Sequence, residues 1–375
     1  MPLPSLRLAL GAALLALATA TAHAAPTAPR GRIDREGTFP CWPPGAVGER
    51  ICEISGAIWT RRGLVVATDK PLEGGHFSHV WRTSLPGGPV TRRAELRAPA
   101  FLASTKIEGL ASDPAGDWCF ATTSFSWFVP DAPAQADSWN VLVAWREGAP
   151  EAAHIVEPTV RGGVTSSASL IPRMRAALAT ASSPEGPAWF KIEGLAVLPG
   201  QRLAFGVRAI GPSHVEKTMV GVVIAARYAV CRGRVRIVGP FRKIVDWEPS
   251  ALVGRPAGVS GLEYDAASHR LLLLTSFEAE RASTPDDLDG WAWVLPDADR
   301  CRGRAPALVR DATGAPLRFG HKPEAITKVG PQRYLVIHDD DRVLGAPPGT
   351  ASAGGEVPRA RHEARYAYLR LCCPR

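Results

Sequence analysis

Short apolar runs separated by turn residues recur along this chain from about residue 52 to residue 371, and stretches with helical spacing are rare. One pattern opens each of five units: Glu53-Ile-Ser-Gly56-Ala57, Lys106-Ile-Glu-Gly109-Leu110, Lys191-Ile-Glu-Gly194-Leu195, Gly258-Val-Ser-Gly261-Leu262 and Lys322-Pro-Glu-Ala325-Ile326. After a turn, each copy is followed by a β-rich run, at 64–67, 118–121, 203–206, 271–275 and 334–337. A third run follows at 79–82, 141–144, 220–224, 291–294 and 366–370. Runs rich in Val, Ile, Phe, Tyr and Trp between Gly, Pro and Asp clusters predict strands. A weaker fourth strand closes the first four units near 94–97, 153–156, 235–238 and 307–310, and the fifth unit has no room for one.

Four strands per unit, with a small residue fixed in the first, predict an all-β chain forming a single β-propeller. The reading is of five four-stranded blades, six being the alternative. Innermost strands crowd at the axis of such a ring and favour small side chains. A sandwich is the competing architecture, but it does not restart every unit on one tripeptide. The missing last strand predicts that a segment ahead of the first unit, Thr38 to Glu49, completes the last blade, with Pro40, Pro43 and Pro44 suiting an edge. Between the second and third units, an insertion from Pro158 to Phe190 contains a short helical pattern over 169–179. The tryptophans at 59, 81, 145 and 293 fall on strands, where they are expected to pack between blades.

Ahead of the repeats, Arg7, the apolar run from Leu8 to Ala18 and the small residues of Ala22-His23-Ala24 read as a signal peptide over 1–24. The run is shorter than the ~20 residues of a membrane span. Residues 25–51 then form the closing segment and 52–375 the propeller. These features predict a periplasmic or secreted protein without a transmembrane segment. In such a compartment Cys41, Cys52, Cys119, Cys231, Cys301, Cys372 and Cys373 are disulfide candidates, and no C-x-x-C pair suggests zinc. Cys41 is expected to pair with Cys372 or Cys373, stapling the two ends of the last blade.

The net charge of +8 raises nucleic acid as a partner, but the arginines are spread along the chain with no basic run interleaved by aromatics, so none is expected. Lysine is scarce, and three copies occupy the same K-x-E position. Period-2 alternation puts Lys106 with Glu108, Lys191 with Glu193 and Lys322 with Glu324 on one side of their strands. Ring closure would collect them at the axis, with Ser55 and Ser260 in the remaining glutamate positions and Glu53 in a lysine position. Glu108, Glu193 and Glu324 are therefore candidate ligands for a hard cation such as calcium. Lys106, Lys191, Lys322, Ser55 and Ser260 are candidates for holding a small anionic ligand. The alternative is an ion-pair network that binds nothing.

The ends of the second strands add Asp69, Lys70, Ser124, Arg208, Ser276, Glu278 and His338-Asp339-Asp340-Asp341 on one rim. From these, His338, Asp339 and Arg208 form the candidate catalytic set, His338 as general acid or base. Asp286 to Gly290 reads as a turn, because a calcium loop's later glutamate is missing.

The segment Lys191 to Ala196 followed by Leu203 to Arg208 resembles a bacterial family of unknown function numbered 3616. The Glu53-Ile-Ser-Gly56 opening and the recurring E-G-L signature resemble the broader phytase-like, esterase-like propeller group over residues 52 to 371. That resemblance implies an exported propeller, with phosphoester hydrolysis among the group's suspected activities. The Asp-Asp-Pro-Ala ligand motif of phytases is absent. So are G-x-S-x-G, H-E-x-x-H, P-loop and dinucleotide signatures. Two functions follow: a metal-assisted phosphoesterase acting on a small anionic substrate at the channel mouth, or a non-catalytic propeller that binds a ligand or an envelope protein.

Overall fold

Strand pairing divides the chain into five four-stranded antiparallel sheets, one per unit. The computed structural model describes residues 28–41, 51–69, 78–88, 94–115, 117–126, 133–341, 343–344 and 359–372. The expected signal peptide and Lys70 lie outside these residues. A strand preceding the repeats, β1, spans Arg30–Pro40. Blade 1 runs outward through β2 (Ile54–Thr60), β3 (Gly63–Thr68), β4 (Val80–Thr83) and β5 (Ala94–Glu95). Blade 2 is β6 (Ile107–Ser112), β7 (Trp118–Thr123), β8 (Leu142–Arg146) and β9 (Ala149–Ile155). The insertion that follows forms a small hairpin, β10 (Thr159–Arg161) and β11 (Val164–Ser166), and a short helix over Ile171–Ala177. Blade 3 comprises β12 (Trp189–Leu198), β13 (Arg202–Gly211), β14 (Thr218–Cys231) and β15 (Arg234–Trp247). Blade 4 comprises β16 (Gly258–Asp265), β17 (Arg270–Glu278), β18 (Leu288–Pro296) and β19 (Ala307–Leu308). Blade 5 has β20 (Pro323–Gly330), β21 (Arg333–His338) and β22 (Glu363–Cys372), and β1 supplies its outer strand.

The inner strands of each sheet are buried on both faces, so they read as continuous apolar runs whose alternate residues serve different cores, whereas outer strands such as β1 and β15 keep exposed positions. In β17, Leu271 and Leu273 enter the core between blades 3 and 4, while Leu272 and Leu274 enter the one between blades 4 and 5. Five such cores, one per blade interface, make up the interior. Trp81, Trp145 and Trp293 are buried in them, whereas Trp59 is 37% exposed and stays out. Its backbone N–H is held by the Thr327 hydroxyl.

The closing strand lies earlier than expected. Only Thr38, Phe39 and Pro40 of the anticipated segment belong to β1, and residues 42–50 lie outside the described part. Cys41 bonds to Cys52, not to Cys372 or Cys373. The register explains the difference: β1 runs antiparallel to β22, placing Arg30 beside Cys372 and Pro40 beside Glu363. Cys41 therefore sits a whole strand length from Cys372, which is a free, exposed thiol, and Cys373 is not among the described residues. The bond instead ties the end of β1 to the residues that lead into β2.

The innermost strands share one irregularity. Pairing slips between Ile54 and Gly56, Ile107 and Gly109, Ile192 and Leu195, Val259 and Gly261, and Pro323 and Ala325. The residues passed over include Ser55, Glu108, Glu193, Ser260 and Glu324, so a β-bulge re-aims the same repeat position in all five blades. The adjoining small residues let the blades meet. A methyl group at Gly56 would stand 3.1 Å from the Leu110 nitrogen, and one at Gly109 would stand 3.0 Å from the Leu195 nitrogen.

Candidate functional site

The bulges and the K-x-E spacing bring charged groups from every blade to one end of the axis. Lys106 Nζ lies 2.7 Å from Asp69 Oδ2 and 3.0 Å from Glu108 Oε1. Lys191 Nζ lies 3.2 Å from the same Glu108 oxygen and also pairs with Glu193. Arg208 pairs with the other Glu193 oxygen, approaches Glu324 Oε1 at 3.9 Å and donates to Ser276 Oγ at 2.7 Å. Lys322 Nζ completes the arc, 3.1 Å from Glu324, 3.1 Å from Glu278 and 2.6 Å from Asp341. Glu108, Glu193 and Glu324 thus meet from blades 2, 3 and 5, each within ion-pair reach of two cations. Each of the three expected metal ligands is thus already engaged in ion pairs, the arrangement of the alternative network. Two contributors, Lys106 (φ 59°) and Asp341 (φ 45°), hold the left-handed conformation that costs a non-glycine residue strain, a feature that clusters at sites.

Burial and pairing compete across the cluster. Burial pushes the Glu193 carboxyl up, but Arg208 and Lys191 more than reverse this and hold it at about 2. Burial wins at Glu108 and Glu324, whose carboxyls are raised despite their lysines. Asp339 is raised well above the ordinary range by burial and by Asp341, with Asp69 and Glu53 adding to the repulsion. On the axis itself, between the small residues of the inner strands, only about 10 Å³ is open. That is at the limit for one water, so the axis is a plug, not a passage.

Other expected residues take different places. Ser55 donates its hydroxyl hydrogen to the Ile107 carbonyl, and Ser260 donates to the Pro323 carbonyl at 2.6 Å. They occupy the anticipated ring positions, but they pin one blade to the next instead of facing a ligand. His338 lies off the axial cluster. Its ring packs 5.5 Å from Phe319 and 5.2 Å from His321, centroid to centroid, with neither nitrogen hydrogen-bonded among the described residues. Burial, then the neighbouring His321, depresses its pKa to about 3, which leaves it a poor general acid or base at neutral pH. Alternation separates it from Asp339, which faces the cluster. Glu53, Asp339 and Asp341 bring carboxylate oxygens within 4.8 Å of one another.

Beside the cluster, toward blades 3 and 4, opens a cavity of about 520 Å³. Lys191, Glu193, Arg208 and Lys322 form its floor. Its walls carry Trp189, Met219, His214, Val215 and Lys217 on one side and Glu278, Ala279 and Glu280 on the other. The floor was legible in the repeat. Of the walls, only Glu278 was legible, at the end of a second strand; His214, Val215, Lys217, Ala279 and Glu280 come from connections between strands that carry no repeat signature.

No family model matches this chain, and no curated protein does. Solved structures with a similar course include a luciferin-regenerating enzyme at 11% identity, TM-score 0.37, covering 90% of this chain and 96% of that one. Another is the PQQ-bound aldose sugar dehydrogenase from Streptomyces coelicolor, at 14% identity and TM-score 0.35, covering 90% and 99%. A third is a member of the DUF4221 family from Bacteroides vulgatus, at 6% identity and TM-score 0.39, covering 92% and 99%. These similarities are too slight to carry an argument, and the five-bladed ring rests on its own strand pairing.

Proposed function

We propose that this chain is an exported propeller that binds a small anionic ligand in the cavity at the mouth of its plugged axis. The carrying observation is the set of cations bordering that cavity, Lys191, Arg208, Lys217 and Lys322. Lys217 has no carboxylate partner among the described residues and donates only to the His214 carbonyl, at 2.9 Å. Although Lys217 is exposed at its surface, partial burial against the cavity wall and then the charges of Lys191 and Arg208 lower its pKa, with Glu193 and Glu278 opposing, and an anion beside it would favour its charged form. Export is supported by the apolar leader and by the buried Cys41–Cys52 bond, since structural disulfides persist in oxidising compartments. Titrating the protein with inorganic phosphate and with acetate while following its melting temperature tests the reading. A rise that saturates, and that Lys217→Met removes, is expected; no rise with either anion refutes it.

A second reading, metal-assisted phosphoester hydrolysis, is favoured by the grouping of Glu53, Asp339 and Asp341. Hard carboxylate oxygens suit calcium, and a divalent ion there would offset the repulsion that raises Asp339. These residues would hold the ion, which would polarise a phosphoryl oxygen, while Lys322 and Arg208 would orient the anion. Calcium should then raise the melting temperature of the wild type but not of Asp339→Asn. A phosphomonoester assay with and without chelator decides whether hydrolysis accompanies binding.

A further inference from the structure

The cavity has walls of unlike charge. Lys191, Arg208 and Lys217 lie on the blade 3 side, and Glu278 and Glu280 on the blade 4 side. Most of these charges already answer one another: Lys191 and Arg208 pair with Glu193, and Lys322 pairs with Glu278. Two do not. Among the described residues, Lys217 makes no ion pair, and Glu280, just after β17, makes neither ion pair nor hydrogen bond. The same cavity carries apolar surface from Trp189, Met219, Val215 and Ala279, with the Trp189 ring fixed by its N–H donating to the Ser126 carbonyl at 2.8 Å.

We propose that the cavity takes a short peptide with both ends free, its terminal carboxylate toward Lys217 and its terminal ammonium toward Glu280. This rests on the reading of the cavity as the ligand site and adds the second, opposite charge. A polyanion filling the same space would meet Glu278 and Glu280 on the far wall. A peptide's two termini use the two unanswered charges without disturbing the paired floor. The volume of about 520 Å³ falls among pockets that enclose ligands larger than one amino acid.

Calorimetric titration with Ala-Phe, N-acetyl-Ala-Phe and Ala-Phe amide separates the contributions. Ala-Phe should bind about tenfold more tightly than either blocked form, the usual scale for one charge-assisted contact. Glu280→Gln should abolish the preference for the free amino end alone, and Lys217→Met the preference for the free carboxylate alone. Both side chains are exposed, so unchanged melting temperatures should show that the variants fold. If the acetylated peptide binds as well as Ala-Phe and Glu280→Gln changes nothing, the peptide proposal falls while anion binding stands. If acetylated and free peptides bind but Lys217→Met alters neither, both fall. If none of the three binds, the peptide proposal is overturned, and the phosphate and acetate titrations judge the anion reading separately.

Discussion

His338 should add an acid sensitivity to this fold that begins near neutral pH. Its imidazole is 2% exposed, lies against Phe319 and His321, and has its pKa pressed down to about 3 by burial first and His321 next, against the pull of Asp340. In the unfolded chain the same group titrates near 6.5. As pH falls below that value the unfolded state takes up a proton that the folded state refuses. The stability that His338 leaves intact at neutral pH is therefore lost progressively from about pH 6.5 down towards 3. Between pH 7 and pH 5 the loss from this one residue is about 2 kcal/mol, at roughly 1.36 kcal/mol per unit. Urea unfolding followed by tryptophan fluorescence at pH 5, 6 and 7 measures it, with His338→Phe as the reference. Phenylalanine keeps an aromatic ring between Phe319 and His321 and removes both nitrogens, so an offset in stability is expected, but the pH slope should flatten. Buried carboxylates that burial raises, Glu108, Glu263, Glu324 and Asp339, also respond to pH, but they occur in both proteins, so the difference between the two slopes isolates His338. Parallel slopes for the two proteins would falsify the argument, as would an NMR titration placing His338 near 6.

Three other outcomes follow from the geometry. Arg208→Met should destabilise the protein by about 3 to 5 kcal/mol in urea titrations, because it leaves Glu193 buried without its main counter-charge. A loss below about 1 kcal/mol would mean that water reaches the cluster freely. Gly109→Ala should cost about 1 to 3 kcal/mol, since the added methyl meets backbone of the neighbouring blade; an unchanged melting temperature would show that the ring can breathe there. Cys52→Ser should cost about 2 to 3 kcal/mol through the closed loop of 11 residues, and peptide mapping of the oxidised wild type should recover Cys41 joined to Cys52.

The parts of this structure readable in the sequence are those the repeat wrote several times. Lys106, Lys191 and Lys322 shared a position, so ring closure alone predicted that their glutamates would meet. The serines at 55 and 260 marked the same position in other blades, but nothing in a sequence reveals that a hydroxyl is used by a neighbouring blade's carbonyl. The bounds of β1 were not legible because it is an outer strand: most of its residues are exposed or only partly buried, and it has no repeat signature. The placement of His338 away from the axis was hidden for a related reason. One residue's shift along a strand reverses the face, and only the paired register shows that Asp339, not His338, looks toward the axis. Lys217 and Glu280 lie in connections between strands, outside the repeated pattern, so nothing in the repeat marked them.

The join between β1 and β22 also sets an order of events during synthesis. β1 leaves the ribosome before any other strand of the five blades, yet its sheet partner among the described residues is made after all the others, with Arg30 finally opposite Cys372. While the remaining strands are produced, β1 waits with both edges unpaired, a state that invites pairing with other chains. Its composition fits the wait: Arg30, Arg32, Asp34, Arg35 and Glu36 crowd its first half with charges, which discourages a premature partner. A chain interrupted before residue 363 could not seat β1 at all, and would leave the outer edge of β21 open as well. Shortened translation products should therefore be removed or aggregate, whereas in the complete chain β22 covers one edge of β21 and one edge of β1 in a single act.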